Sequence, residues 1–114
     1  MIYFLSNHKD TAFLESLTNE KITLISHPYI DPNWTSNELL ENCKGVIDQA
    51  VRAERLVANG DYSLLSTIII RRFKLGKKTG FICMEKLNKP SSERDEAGNI
   101  VHKNILKPIN IRWI

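Results

Sequence analysis

The sequence lacks most marks of a membrane, secreted or metal-binding protein. Its apolar runs, such as Ile68–Ile70, are only a few residues long, whereas a membrane-spanning helix needs about 20. The two cysteines, Cys43 and Cys83, have neither a CxxC motif nor metal-site spacing, so we expect free, buried thiols. No basic segment precedes Met1–Leu5, and this segment predicts a strand rather than a signal peptide. These features favour a cytoplasmic protein that makes no contact with a membrane.

The composition is that of one folded domain. The chain has 114 residues, of which 42 % are hydrophobic and 25 % are charged. These values are typical of a globular protein and argue against disorder. We therefore predict a single domain over residues 1–114.

Charge is distributed unevenly along the chain. Residues 1–70 hold 5 Lys and Arg against 9 Asp and Glu, whereas residues 71–114 hold 11 against 4. A basic C-terminal part suggests an anionic partner, although a solvated basic face explains the same numbers.

Apolar patterns predict strands and helices in alternation. Uncharged segments rich in β-branched and aromatic residues predict strands at 1–6, 22–25 and 81–84. Apolar residues at helical spacing predict helices at 10–20, 35–51 and 61–75, with caps at Asp10, Thr35 and Asp61. Residues 55–59 fit either the last turn of the second helix or a third strand. A β-hairpin that turns at 95–99 is predicted to end the chain.

This order predicts an α/β fold: a mostly parallel sheet with helices on both faces and a C-terminal β-hairpin. Such sheets bind ligands at the carboxyl ends of their strands. Three loops are expected at that edge: Ser6-Asn7-His8, Asn59-Gly60-Asp61-Tyr62-Ser63 and Glu85-Lys86. A glycine before a helix lets a phosphate approach the free amides of the helix, but Asn-Gly-Asp is also a common turn.

Two other groups of residues have simple structural explanations. His8, His27 and His102 are far apart in the sequence and make a weak case for a metal site. The basic residues of segment 71–78 could contact nucleic acid, but cations at the C-terminal end of a helix explain them as well.

The second half of the chain resembles a known family. Asn59-Gly60-Asp61-Tyr62, an apolar helix, Gly76 and Phe81-Ile82-Cys83-Met84-Glu85-Lys86 are similar to a signature of small stand-alone CRISPR-associated proteins with a CARF-like fold. In that family a strand leads to Gln-Gly-Asp, an aromatic residue, a helix, a glycine, a strand and an arginine. An acidic hairpin follows, here Glu93–Gly98 and Val101–Trp113. Asn59 and Lys86 depart from the family's Gln and Arg.

The resemblance implies a CARF-like domain in which Arg55–Ala58 is the third strand. It also implies a homodimer that binds cyclic oligoadenylate, the second messenger of type III CRISPR systems, with cyclic tetra-adenylate as the expected ring. Several members are ring nucleases, in which a ribose 2′-OH attacks the adjacent phosphate without a metal or cofactor. We therefore expect a ring nuclease that ends antiviral signalling. The alternatives are a non-hydrolytic binder of the messenger and a small nucleic-acid-binding regulator that uses segment 71–78.

The site residues follow from the resemblance and from the loops. Ser6, His8 and Lys86 are the predicted catalytic residues, with His8 as the proton-transfer group and Lys86 balancing phosphate charge. The predicted ligand-binding residues are Asn7, Asn59, Gly60, Asp61, Tyr62, Ser63 and Glu85. Binding to duplex DNA is not expected of this site.

Overall fold

A computed structural model describes the backbone of all 114 residues and the side chains of residues 1–86, 93–100 and 106–114. The chain forms five strands and four helices. The strands are β1 (Ile2–Ser6), β2 (Ile22–Ser26), β3 (Leu56–Ala58), β4 (Thr79–Arg94) and β5 (Ile100–Trp113). The helices are α1 (Ala12–Thr18), α2 (Ser36–Asn42), α3 (Lys44–Arg52) and α4 (Tyr62–Lys74).

The strands form one sheet in the order β2-β1-β3-β4-β5. The first four are parallel to one another and β5 is antiparallel to β4. This confirms the α/β class, the mostly parallel sheet and the third strand, β3, which begins at Leu56 and not at Arg55. The strand is short, and it pairs with β1 and β4 over three residues at most.

Two hydrophobic cores cover the two faces of the sheet. On one face, Leu5 and Ala58 pack against α3 and α4 through Ile47 and Ile68. On the other face, Phe4 packs against α1, and the cluster extends to Ile111 of β5. The residues of β1 alternate between these cores because successive side chains of a strand point to opposite faces. Helices therefore cover both faces, as predicted.

The second predicted helix is two helices. The predicted stripe over 35–51 breaks at Cys43, which ends α2 and precedes α3. The Asn42 side-chain amide donates to the Glu38 carbonyl at 2.8 Å. Asn42, Cys43 and Gly45 all have low helix propensity, which makes this the weakest point of the stripe.

The predicted strand at 81–84 is much longer in the structure. β4 begins at Thr79 and continues to Arg94, where the hairpin turn starts. The prediction of a loop at Glu85-Lys86 is therefore wrong, because both residues lie within β4 and pair with Lys107 and Leu106. Pairing with β5 holds this polar segment extended, and a local reading of apolar residues could not detect that pairing.

The basic segment 71–78 is also not a single surface. Arg72 is 0 % exposed, whereas Arg71 and Lys74 are exposed. Both cysteines are free thiols, and Cys43 is buried as expected. The expectation that Cys83 is buried is wrong, because it is half-buried. Among the helices of the described residues, none has the length and apolar character needed to cross a membrane.

Candidate functional site

The order of the strands reverses between β1 and β3, which lie side by side in the sheet. The helices that follow these two strands, α1 and α4, lie on opposite faces of the sheet. In doubly wound sheets, ligands bind at the carboxyl ends of the strands at this point, where the strand order reverses. The Asn59 amide donates to the Leu5 carbonyl at 3.0 Å, so the pairing of β1 with β3 continues up to the loops that follow these two strands. The loops of Ser6-Asn7-His8 and Asn59-Gly60-Asp61 therefore lie at one site, as predicted from the order of elements.

The loop after β1 is held by Ser6. Its side chain is 1 % exposed, and its hydroxyl accepts a hydrogen bond from the His8 amide at 2.9 Å. Asn7 and His8 are exposed to solvent. Ser6 thus fixes the loop, while Asn7 and His8 are the residues that a ligand can reach.

A third loop, which sequence reasoning missed, also reaches the site. His27 follows β2, and its Nε2 accepts a hydrogen bond from the Asp61 amide at 3.0 Å. Its Nδ1 lies 2.7 Å from the Pro28 carbonyl, so the tautomer with hydrogen on Nδ1 satisfies both contacts. The parallel pairing of β2 with β1 was the available signal, because it brings Ser26-His27 to the same edge.

Gly60 is required for this contact. It has a φ of +150°, and a Cβ there would lie 2.1 Å from the His27 ring. Glycine thus meets two demands here, a backbone conformation that other residues rarely adopt and the close approach of a side chain. The His27 ring lies against the backbone of the turn that was predicted to cradle a phosphate.

Asp61 caps α4. Its carboxylate accepts hydrogen bonds from the Ser63 hydroxyl and from the Leu64 amide, the latter at 3.0 Å. These bonds, the Ser63 hydroxyl first, lower the pKa of Asp61 from its ordinary value. They stabilise the charged carboxylate, and this negative charge interacts favourably with the positive N-terminal end of the helix dipole. The side chains of Asp61 and Ser63 therefore hold the helix start, while the Asp61 amide is bonded to His27.

Two hollows flank the start of α4. The first, of about 330 Å³, lies between α4 and β4 and is mostly apolar. Its lining includes Asn59, Gly60, Tyr62, Ile69, Phe81 and Met84. The second, of about 210 Å³, lies on the side of α2 and is lined by Trp34, Asp61 and Ser63 among others. The first hollow contains three of the predicted ligand-binding residues.

A larger hollow, of about 480 Å³, lies at the opposite edge of the sheet between Tyr3, Arg52 and Glu54. The carboxyl edge is the candidate site because loops and helix starts converge there, whereas the amino edge of a parallel sheet lacks this geometry.

Glu85 and Lys86 lie beyond the first hollow. From the pairing of Val57 with Gly80, Gly60 is level with Cys83, which puts Lys86 about 10 Å farther along β4. Both side chains are exposed. They flank the site at the base of the hairpin and do not form a loop over it.

No group of three His, Cys, Asp or Glu side chains comes together within the described part of the chain. The side chain of His102 lies outside it.

Comparisons with protein-family models, curated proteins and solved structures found no significant match to this chain.

Proposed function

We propose that this protein is a CARF-like domain that binds cyclic oligoadenylate at the carboxyl edge of its sheet and cleaves it. The observation that carries the proposal is an apolar hollow of about 330 Å³ lined by Asn59, Gly60 and Tyr62, in the turn that follows the strand paired with β1. A planar base fits an apolar hollow with an aromatic rim, and a phosphate fits the start of a helix.

Different exposed residues contact different parts of the ligand. Tyr62 and Asn59 contact the base, and Asn7 contacts the ribose or phosphate. Glu85 and Lys86 meet the outer part of the ring, where Lys86 balances phosphate charge. A phosphate oxygen at the Asp61 amide takes the place of the His27 ring, which then turns toward the ligand.

Cleavage needs positioning more than a strong nucleophile. The ribose 2′-oxygen attacks the adjacent phosphorus and forms a cyclic phosphate, while the bond to the 5′-oxygen breaks. The 2′-hydroxyl proton passes to a base, and the leaving 5′-oxygen takes up a proton. His8 is the candidate for proton transfer, with Ser6 holding its loop. In-line alignment of the 2′-oxygen supplies several kcal/mol, on the order of 7 to 11 in favourable cases.

The test is incubation with cyclic tetra-adenylate, with and without EDTA, followed by chromatography of the products. We expect a cyclic-phosphate product that is unaffected by EDTA. A ligand with a 2′-O-methyl group at the cut position should bind without being cut. His8→Ala should slow cleavage by about 10²- to 10⁴-fold, while Tyr62→Ala should weaken binding and the matched variant Tyr29→Ala should not.

Two outcomes would redirect the proposal. Tight binding without product at high enzyme would make the protein a sequestering agent for the messenger. A rise in melting temperature with short duplex DNA, but none with cyclic tetra- or hexa-adenylate, would favour a nucleic-acid regulator. The interior position of Arg72 argues against that regulator, because it removes one cation from the surface of segment 71–78.

A further inference from the structure

The amino edge of the sheet, opposite the candidate site, is rich in basic side chains. It is formed by the end of α3 and by the loops that precede β2, β3 and β4. Its charged side chains are the cations Lys21, Arg52, Arg55, Lys77 and Lys78 and the anions Glu20 and Glu54. In contrast, the loops that follow β1, β2 and β3 hold Lys9, Asp10, Asp31 and Asp61. Of these two sets of loops, the set at the amino edge is the basic one, which favours an anionic partner there.

Two hollows adjoin at this edge. The larger, of about 480 Å³, lies beside α3 and is lined in part by Tyr3 and Arg52. The smaller, of about 320 Å³, is lined by Glu54, Arg55, Lys78 and Trp113. Glu54 also belongs to the lining of the larger hollow, so the two hollows lie on either side of the turn between α3 and β3.

Each hollow contains a half-buried aromatic ring. Tyr3 packs against the core on the α3 and α4 face of the sheet, and Trp113 packs against the core on the α1 face. The guanidinium carbon of Arg55 lies 5.2 Å from the centroid of the Trp113 ring. A ligand that fills both hollows therefore crosses the edge of the sheet and meets a ring and a cation on each side.

We propose that the amino edge binds single-stranded nucleic acid, which passes over the edge from one hollow to the other. Tyr3 and Trp113 lie three strand spacings apart in the sheet, or about 14 Å. About four stacked nucleotides span this distance at roughly 3.4 Å each. The cations hold the phosphates and the two rings stack with bases, a combination found in proteins that bind single strands with little sequence preference.

Other anionic partners fit this edge less well. The cations are spread over a helix end and three loops, which suits an extended polyanion better than a small anion. In a duplex the bases are stacked inside the helix, so they could not reach the two rings. An acidic peptide would use the cations but leaves the rings without a role. A single strand accounts for both the charge and the rings.

The cations of the edge differ in what they already bind. Lys77 has a structural role, because its ammonium group donates to the Arg52 carbonyl at 2.9 Å. Arg55 is paired with Glu20. Among the described residues, the Lys78 ammonium group has no partner and the Arg52 guanidinium bonds only to a carbonyl of its own helix. Arg52 and Lys78, one in each hollow, are therefore the residues that we assign to the phosphates.

The test is the fluorescence anisotropy of a labelled single-stranded oligouridylate of about 12 nucleotides. Arg52→Glu and Lys78→Glu should each weaken binding by about 10-fold or more and should reduce the salt slope of the affinity by roughly 0.7 or more. Glu54→Gln should strengthen binding, because it removes a negative charge between the two hollows. The matched variant Lys9→Glu makes the same charge change at the opposite edge and should alter the affinity by less than about 2-fold.

Tryptophan fluorescence locates the strand on the protein. A base stacked on Trp113 should quench its emission. The quenching should persist in Trp34→Phe, which removes the tryptophan beside α2. It should disappear in Trp113→Phe, a variant that keeps an aromatic ring against the core.

Several results would overturn the proposal. They are no binding at about 50 mM salt, an equal loss of affinity in Lys9→Glu, and equal affinity for a duplex. Equal affinity for polyglutamate would indicate a site for acidic protein segments and would also overturn it. Displacement of the strand by excess cyclic tetra-adenylate would do the same, because it would place the strand at the carboxyl edge.

The inference does not rest on the messenger. A protein that binds the single strand but not cyclic tetra-adenylate would retain this inference and lose the proposed function. A protein that binds cyclic tetra-adenylate but not the single strand would do the reverse.

Discussion

Arg72 is the residue with the largest number of structural hydrogen bonds among the described side chains. Its guanidinium donates to the carbonyls of α3 and the following turn, to the Lys78 carbonyl and to the Thr79 hydroxyl. Burial lowers the pKa of this guanidinium, while Glu54 opposes that shift. Burying this cation costs desolvation free energy. Its hydrogen bonds, however, satisfy carbonyls at the C-terminal end of α3 that would otherwise lack partners.

Replacing Arg72 should therefore destabilise the fold strongly. We expect Arg72→Met to lower the free energy of unfolding by about 3 to 5 kcal/mol, since it leaves several buried carbonyls unsatisfied. The matched variant Arg71→Met, at an exposed neighbour, should change it by less than about 0.5 kcal/mol. Urea denaturation measures both. Equal effects of the two variants would contradict the structural role of Arg72.

Gly60 and His27 should be coupled energetically. Gly60→Ala strains a φ of +150° and drives a methyl group into the His27 ring. We expect a loss of more than about 3 kcal/mol in the wild type. In a His27→Ala background the clash is gone, and the loss should fall to about 1 to 3 kcal/mol of backbone strain.

A double-mutant cycle in urea measures this coupling. The interaction energy should be about 1 to 3 kcal/mol, in the range of residues in direct contact. Additive effects of the two substitutions would mean that the ring does not lie against the Gly60 backbone in solution.

At the scale of the elements, the starts of helices were the most predictable features. Thr35 and Glu38 form both bonds of the predicted capping box at 3.2 Å, and Asp61 caps α4. These signals are local, because a cap needs only residues within one turn. Asp10 binds the Ala12 amide at 2.9 Å, but the N-cap position of α1 is Thr11.

Predictions that depend on distant partners were less accurate. The length of β4 depends on its pairing with β5, and its outer half is too polar to predict a strand alone. The break at Cys43 depends on weak propensities that a strong apolar stripe conceals. The first error arises where tertiary context overrides the local pattern, and the second where weak local signals are outweighed by a strong one.

The site could be predicted only in part for the same reason. The alternation of strands and helices was sufficient to predict that the loops after β1 and β3 lie close together. The contact of His27 with Asp61 joins residues 34 positions apart, and no local pattern in the sequence specifies it.

At the scale of the whole molecule, the chain extends well beyond a compact domain. Its radius of gyration is 17.5 Å and its longest extent is 54 Å, whereas a compact domain of this length has a radius near 13 Å. The antiparallel pairing of β4 with β5 continues past the sheet and accounts for this extension. A two-stranded ribbon is only marginally stable by itself, so its base in the sheet is what anchors it.

The two cores of the sheet also differ in the order in which they can form. Every buried residue of the first core lies between Leu5 and Ile68. The second core joins Leu14 to Ile111 and so closes a loop of almost the whole chain. Closing such a loop costs about 4 kcal/mol in chain entropy, and this cost favours folding of the first core before the second.

A matched pair of substitutions tests this order by stopped-flow kinetics. Ile68→Val and Ile111→Val remove the same methylene group from the two cores, each at about 0.5 to 1.5 kcal/mol. Ile68→Val should mainly slow refolding, whereas Ile111→Val should mainly speed unfolding. The opposite pattern would mean that the ends of the chain meet before the middle has folded. If the expected pattern holds, the rate-limiting barrier is crossed while β5 is still unpaired. Until β5 docks, a nascent chain exposes the open edge of its sheet to neighbouring chains.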